Sequence, residues 1–384
     1  MSLVSTEPAA PDAPAARVSE DAIRALPKAE LHVHLEGTFE LIDLIDLAKA
    51  AGAPLPGPAR SLFDLSTHDS PDIPDITTGG GAAHGAGVGG LGGFLKFLDW
   101  QCGLVTTHDA AARTAYRFAA RQSASGIRYS DVIVNPTHWS SWAGRELELL
   151  DAIGAGLIEA EQDGLCIANV AVSLLRAQSR SEAVELVERL AERRPQRVVA
   201  LSVDGDEKNS GRTGEKFHDA FTLAAAKGLR RTIHAGESSG PEGVWDAIEL
   251  LHAERIDHGI RSIEDPRLIE QLVERDITLD VCPRSNLALG LYPSWAEFPL
   301  LPLLDAGVTV TLNTDDPAPL GTSLVHDWAT VADVYGFGMP RLVDFARTSI
   351  TSSFADPDTR RDLLAELALA ELALAEEAVA QGDG

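Results

Sequence analysis

The chain has 384 residues, 45% of them apolar, and a formal net charge of -26; it can bury a large core as one or two α/β domains, and a small stapled scaffold is excluded. A surface this negative gains nothing from releasing the counterions of a phosphate backbone or an anionic bilayer, so neither nucleic acid nor membrane is expected as a partner. Cys102, Cys166 and Cys282 are an odd, scattered set without C-x-x-C spacing, which argues against a disulfide framework or a thiolate metal site and for reduced core thiols.

The opening "MSLVSTEPAAPDAPAARVSE" is rich in Ala and Pro and lacks the basic start and apolar centre of a signal peptide. Residues 1 to 20 are expected to be disordered, with a single domain over 21–380. No apolar run reaches the roughly 18 residues needed to cross a bilayer. A cytoplasmic protein is expected.

The first strand is "AELHVHLEG" at 29 to 37. The segment "STHDSPDIPDITTGGGAAHGAGVGG" at 66 to 90 interrupts the order with Gly, Ala, Asp and Pro and no period; it reads as a mobile excursion, either a hinge for an apolar lid or a plain solvated loop. It leads into "LGGFLKFLDW", which has Leu91, Phe94, Leu95 and Leu98 at helical spacing. Strands follow at 127 to 136, 165 to 174, 197 to 205, 230 to 237, 254 to 260, 276 to 283 and 307 to 317. Between them, segments such as "SEAVELVERLAERR" repeat apolar residues at three and four positions, the pattern of helices packing one face on a sheet. Eight βα units predict a (β/α)8 barrel, with extra C-terminal helices in "RLVDFARTSITSSF" and "RRDLLAELALAELALAEEAVA".

In a strand, residues i and i+2 share a face, so His32 and His34 point the same way, with Glu36 expected next along. An isolated H-x-H pair is weak evidence for a metal. His234 and His258 at the ends of strands five and six, and Asp315-Asp316 at the end of strand eight, point to the same barrel mouth. Neutral imidazoles and a carboxylate are suitable zinc ligands, and three or four of them with an open position make a catalytic site. Zinc lowers the pKa of a bound water from 15.7 to about 7, which favours a hydrolytic reaction. Glu237, three residues past His234, is placed to face a substrate as general acid.

The segments "LPKAELHVHLEGT", "VDGDE", "TIHAGE", "RIDHGI", "VCPRSN" and "LNTDDP" resemble the adenosine deaminase family of metal-dependent hydrolases, a likeness that covers roughly residues 25 to 350. The resemblance implies that His32, His34, His234 and Asp315 hold one zinc ion per chain. It implies that Glu237, His258 and Asp315 form the catalytic group, with Glu237 donating a proton to purine N1 and His258 orienting or deprotonating the attacking water. His34, Glu36, Gly205, Asp316, Phe94 and Leu95 would face the substrate: Asp316 at N7, the Gly205 amide at N3, and the helix carrying Phe94 and Leu95 as an apolar gate over the sugar. A small purine is then the expected partner, and the sequence is neutral between monomer and homo-oligomer.

Two features pull apart on the substrate. Nucleoside deaminases of the family commonly carry Asp where this chain has Glu36, and "EGT" looks like the branch acting on free adenine; that branch typically replaces the glycine of "DGDE" by serine, and Gly205 is retained. Gly205 and the gate-like helix favour a 6-aminopurine nucleoside, with free adenine and an aminofutalosine-like nucleoside as alternatives. A binuclear hydrolase would want a bridging lysine or acid at the end of strand four, and "LSVDGDE" offers no lysine. A non-catalytic purine-binding barrel would have little need for Glu237 and His258 beside intact ligands.

Overall fold

A computed structural model describes residues 17–55, 63 and 90–382. Eight parallel strands form one sheet in sequential order: β1 (Lys28–His34), β2 (Ile127–Val134), β3 (Ile167–Leu175), β4 (Val198–Asp204), β5 (Arg230–Ala235), β6 (Arg255–His258), β7 (Thr278–Val281) and β8 (Val310–Leu312). Helices return the chain along the outside. The helix Arg180–Arg193 shows why: a capping box of Ser179 and Glu182 starts it, and Ala183, Leu186, Val187 and Leu190, at three- and four-residue spacing, bury its inner face.

The barrel closes between β1 and the chain just past β8. The His34 amide donates to the Asp315 carbonyl at 2.9 Å, and the Asp315 amide to the His32 carbonyl at 3.1 Å. One step below, the Asn313 side-chain oxygen accepts from the amides of Leu31 (2.8 Å) and His32 (3.2 Å), standing in for a backbone carbonyl. This explains why β8 spans three residues where 307 to 317 was expected: beyond Leu312 the pairing passes to a side chain, and Asp315 takes a left-handed backbone, φ 70°. β1 is also shorter than the expected 29 to 37, because Leu35–Thr38 turn into a 3-10 helix.

The expected C-terminal helices are Met339–Ser352 and Pro357–Gly382. The first packs across β1, where the Ala29 amide donates to Ser349 Oγ at 3.0 Å. Residues 17–20, which fall in the segment expected to be disordered, are described and placed: Ser19 caps the helix Glu20–Ala25, and Arg17 pairs with Asp333. The 66 to 90 excursion lies outside the described residues apart from Gly90, which begins the helix Gly90–Gly103. No helix among the described residues is long and apolar enough to cross a membrane.

The barrel interior is more polar than a hydrocarbon core. Arg255, fully buried at the start of β6, donates from Nη1 to Asp131 at 2.7 Å and lies with Nε 2.8 Å from Asp280; its guanidinium carbon stands 3.7 Å from the centre of the Phe354 ring. Removing one partner of a buried ion pair strands the others' charge in a low dielectric. Arg255→Leu is therefore expected to lower unfolding stability by about 3–5 kcal/mol, read from the urea midpoint; a loss under about 1 kcal/mol, the range of an exposed pair, would refute it.

Candidate active site

β1 directs His32 and His34 into the barrel, as the two-residue period requires. His32 Nδ1 is 3.1 Å from the Asp280 carbonyl. A carbonyl only accepts, so Nδ1 carries a proton; Nε2 is buried without a hydrogen-bond partner, and since, against burial, the Asp315 charge raises the His32 pKa well above the usual range, Nε2 becomes a lone pair only when a cation displaces its proton. His234, near the end of β5, faces the Asp257 carboxylate through Nδ1 at 3.1 Å, which turns its Nε2 inward as a second lone pair. That Nε2 is 3.0 Å from His34 Nε2. Asp315 Oδ1 completes the group, 3.3 Å from His32 Nε2 and 3.4 Å from His34 Nε2.

These donor atoms lie within 4.8 Å of one another. Electron pairs aimed at each other in a buried site repel unless a cation lies between them. The edges of 3.0, 3.3 and 3.4 Å are those of a ligand shell around an ion bound at about 2.0–2.2 Å. Burial and the neighbouring His234 bring the His34 pKa down to about 4, which keeps that imidazole neutral and able to ligate. A second grouping, His32, His258, Cys282 and Asp315, shares two members with the first. Burial pushes the Cys282 thiol up, so it stays protonated and is the poorer ligand.

Beside this group stands Glu237, buried, with Oε1 3.5 Å from His258 Nε2. Burial, together with the charges of Asp315 and Glu207, pushes its carboxyl up to about 8, so it holds a proton near neutrality. His258, at the end of β6, takes a left-handed backbone, φ 67°, which turns its ring into the mouth although Asp257 before it also points inward. Burial holds His258 well below the usual range, hence neutral. The Asn286 amide nitrogen spans the two, 3.5 Å from Glu237 and 3.3 Å from His258 Nδ1, and Ser285 Oγ donates to Asp315 Oδ2 at 2.7 Å. Asp316 is pushed well above the usual carboxyl range by burial beside Asp315, so the adjacent acids divide their roles: one ionised, one proton-bearing. Gly37 makes room for it, since a Cβ there would lie 2.6 Å from Asp316 Cα.

The structure thus brings His32, His34, His234, His258, Glu237, Asp315 and Asp316 to one mouth. Glu36 departs from the expected strand geometry. It sits in the 3-10 turn, and its Oε1 accepts from the Asn135 amide at 2.8 Å and from Trp139 Nε1 at 2.7 Å. Its Oε2 is buried without a hydrogen-bond partner. Gly205 has φ 99°, a conformation that favours glycine, and a Cβ there would meet Leu175 at 2.9 Å. The helix expected to carry the gate exists, and Leu98 belongs to the core; the side chains of Phe94 and Leu95 lie outside the described residues. Trp139 and Trp142 are fully buried and pack the β2 connection onto the barrel.

Sequence reasoning missed Asp257, Ser285, Asn286, Glu207 and Arg176. Asp257 had a signal in "RIDH", where an acid two residues after Arg255 in a buried strand shares its inward face.

A parallel eight-stranded barrel with three imidazoles and a carboxylate converging at its C-terminal mouth, and a proton-bearing acid beside them, defines a metal-dependent hydrolase. The sequence profile described as adenosine deaminase matches residues 27–370, and the chain belongs to that family. It is similar to an adenosine deaminase of Shewanella denitrificans, 32% identical over 90% of this chain and 99% of the relative. Among solved structures it resembles adenine deaminase from Arthrobacter aurescens, 27% identical with a TM-score of 0.78 over 89% of this chain and 98% of the other. An amidohydrolase from Burkholderia ambifaria with bound zinc also has a TM-score of 0.78 and 27% identity, covering 93% of this chain and 94% of its own.

Proposed function

We propose that the chain is a zinc-dependent hydrolase that converts a 6-aminopurine nucleoside, adenosine or deoxyadenosine, and water into the 6-oxo nucleoside and ammonia. The observation that carries the reaction is Glu237, a carboxyl that keeps its proton up to about pH 8 and stands 3.5 Å from His258 in the same buried mouth as the ligand group. His32, His34, His234 and Asp315 would hold the zinc, a choice supported by their nitrogen-rich donor set and by the zinc in the Burkholderia relative. Zinc, when bound, lowers the pKa of a coordinated water to about 7.

Glu237 gives its proton to N1, which makes C6 electrophilic. Asp316 keeps its proton and donates to N7. The left-handed Gly205 lets its amide approach N3 without a Cβ in the way. His258 orients the attacking water, accepts its proton and passes it to the amino group, so that ammonia leaves from C6 while the proton of the new C6 hydroxyl returns to Glu237 and N1 keeps the proton it received.

The nucleoside is favoured by the retained Gly205 and the helix Gly90–Gly103, and Glu36, although its length resembles the free-adenine branch, leaves a place for a sugar. One carboxylate oxygen is fixed by Trp139 and Asn135, and the other is a buried acceptor without a donor, a lack that a sugar hydroxyl would satisfy. The Arthrobacter relative supports free adenine as the second reading. A small purine is the only partner this function demands, and the buried, free Cys102, Cys166 and Cys282 suit a reducing cytoplasm.

The test follows the ultraviolet change on adenosine, deoxyadenosine, adenine and an aminofutalosine with metal-loaded protein. Faster turnover of the first two is expected. Preference for adenine moves the substrate to the free base, and no deamination of any of the four overturns the proposal.

A further inference from the structure

The loop that carries Glu237 is gripped from both sides by buried side chains of opposite charge. Glu207, first residue of the short helix Glu207–Ser210 after β4, accepts from four consecutive backbone amides: Gly236 on Oε1 at 2.8 Å, and Glu237, Ser238 and Ser239 on Oε2, each at 3.0 Å. From the end of β3, Arg176 Nη2 donates to the His234 carbonyl while its Nη1 donates to Thr213 Oγ1 at 3.1 Å. Arg176 is held in turn through its own backbone, its amide donating to the Asp204 carbonyl at 2.9 Å and its carbonyl accepting from Lys216 Nζ at 2.6 Å. Both side chains are almost wholly buried. Two isolated buried charges would each be costly, and their proximity offsets part of that cost.

The neighbouring helix is shaped to admit the carboxylate, since a Cβ on Gly243 would lie 2.6 Å from Glu207 Oε1. Four amides on one carboxylate exceed what tying a loop down requires. The atoms gripped are the backbone from His234 to Ser239, which bears both a metal-ligating imidazole and the proton donor.

We propose that Glu207 and Arg176 are positioning residues: a two-sided clamp that fixes the Glu237 carboxyl relative to the purine N1 site and to His234. The clamp rests on the deaminase reading for its catalytic consequence. Its mechanical part, immobile amides at 236 to 239, stands independently.

The experiment uses the full metal-loaded chain with Glu207→Gln, which keeps the side-chain volume but places an NH2 group against amide donors, and with Gly243→Ala, which crowds the carboxylate without removing its charge. Misplacement of a reacting group by about 1 Å costs on the order of a hundredfold. Each variant is therefore expected to lower kcat by about tenfold to a hundredfold, with KM within about twofold and zinc content unchanged. Glu207→Gln combined with Glu237→Gln is expected to be no slower than Glu237→Gln alone, because a clamp with nothing to position has nothing left to lose. Amide exchange at 236 to 239 is expected to quicken by about tenfold or more in each variant, the rest of the barrel being unchanged.

Unchanged kcat, a full multiplicative loss in the double variant, or zinc lost in step with activity would overturn the clamp. Should the parent deaminate no purine, the exchange rates still decide: amides that stay protected in both variants refute the grip itself.

Discussion

Glu237→Gln is expected to purify with its full complement of metal and to lose about a hundred- to ten-thousand-fold of kcat/KM, the span general acid–base groups typically contribute. The size of Gln matches that of Glu, and Glu237 is outside the group of converging donor atoms, so the ion seat is undisturbed. What is removed is a proton held by a carboxyl pushed up to about 8 by burial and by the charges of Asp315 and Glu207. A donor works only while protonated, so kcat/KM falls as pH rises through its pKa. A bound cation pulls against the upward shift, which places this alkaline limb at or below about pH 8, and the limb disappears in the variant. A variant with near-parental rate would remove Glu237 from the chemistry, as would an alkaline limb identical in both proteins.

Withdrawing the metal has the second large effect. Chelator followed by dialysis is expected to abolish deamination, with zinc restoring it, and Asp315→Ala is expected to retain less than about a tenth of the metal after the same dialysis. Asp315 Oδ1 is the acceptor that meets both His32 and His34, and without it three imidazoles face one another with no negative charge to draw a cation. Loading should also raise thermal stability, because a ligand at a hundred times its Kd adds about 2.7 kcal/mol to the folded state. Full turnover from protein shown to be metal-free would end the hydrolase mechanism argued above.

The barrel was legible because its strands are β-branched runs bounded by Gly, Pro and Asp, and because eight of them alternate with helical patterns. The ligands were legible because strand period and barrel topology together say where side chains go: His32 and His34 share a face, and strand ends share a mouth. What escaped is whatever departs from the ideal strand. Glu36 follows His34 by two residues yet leaves the face, since the chain coils at Leu35. His258 follows an inward Asp257 and still points inward, which only its positive φ permits. Glu207 escaped for another reason: its partners lie about thirty residues away and are backbone amides, which carry no signature of their own.

The seam of the barrel has a consequence for biogenesis. Its final pairing joins His32 and His34 to Asp315, so the same short contact both shuts the cylinder and completes the ion seat. A growing polypeptide offers two imidazoles almost at once, but the carboxylate that faces them is added roughly 280 residues later. A seat of this composition therefore cannot assemble until the chain through Asp315 has been made, and a truncated polypeptide ending before Asp315 has no such seat.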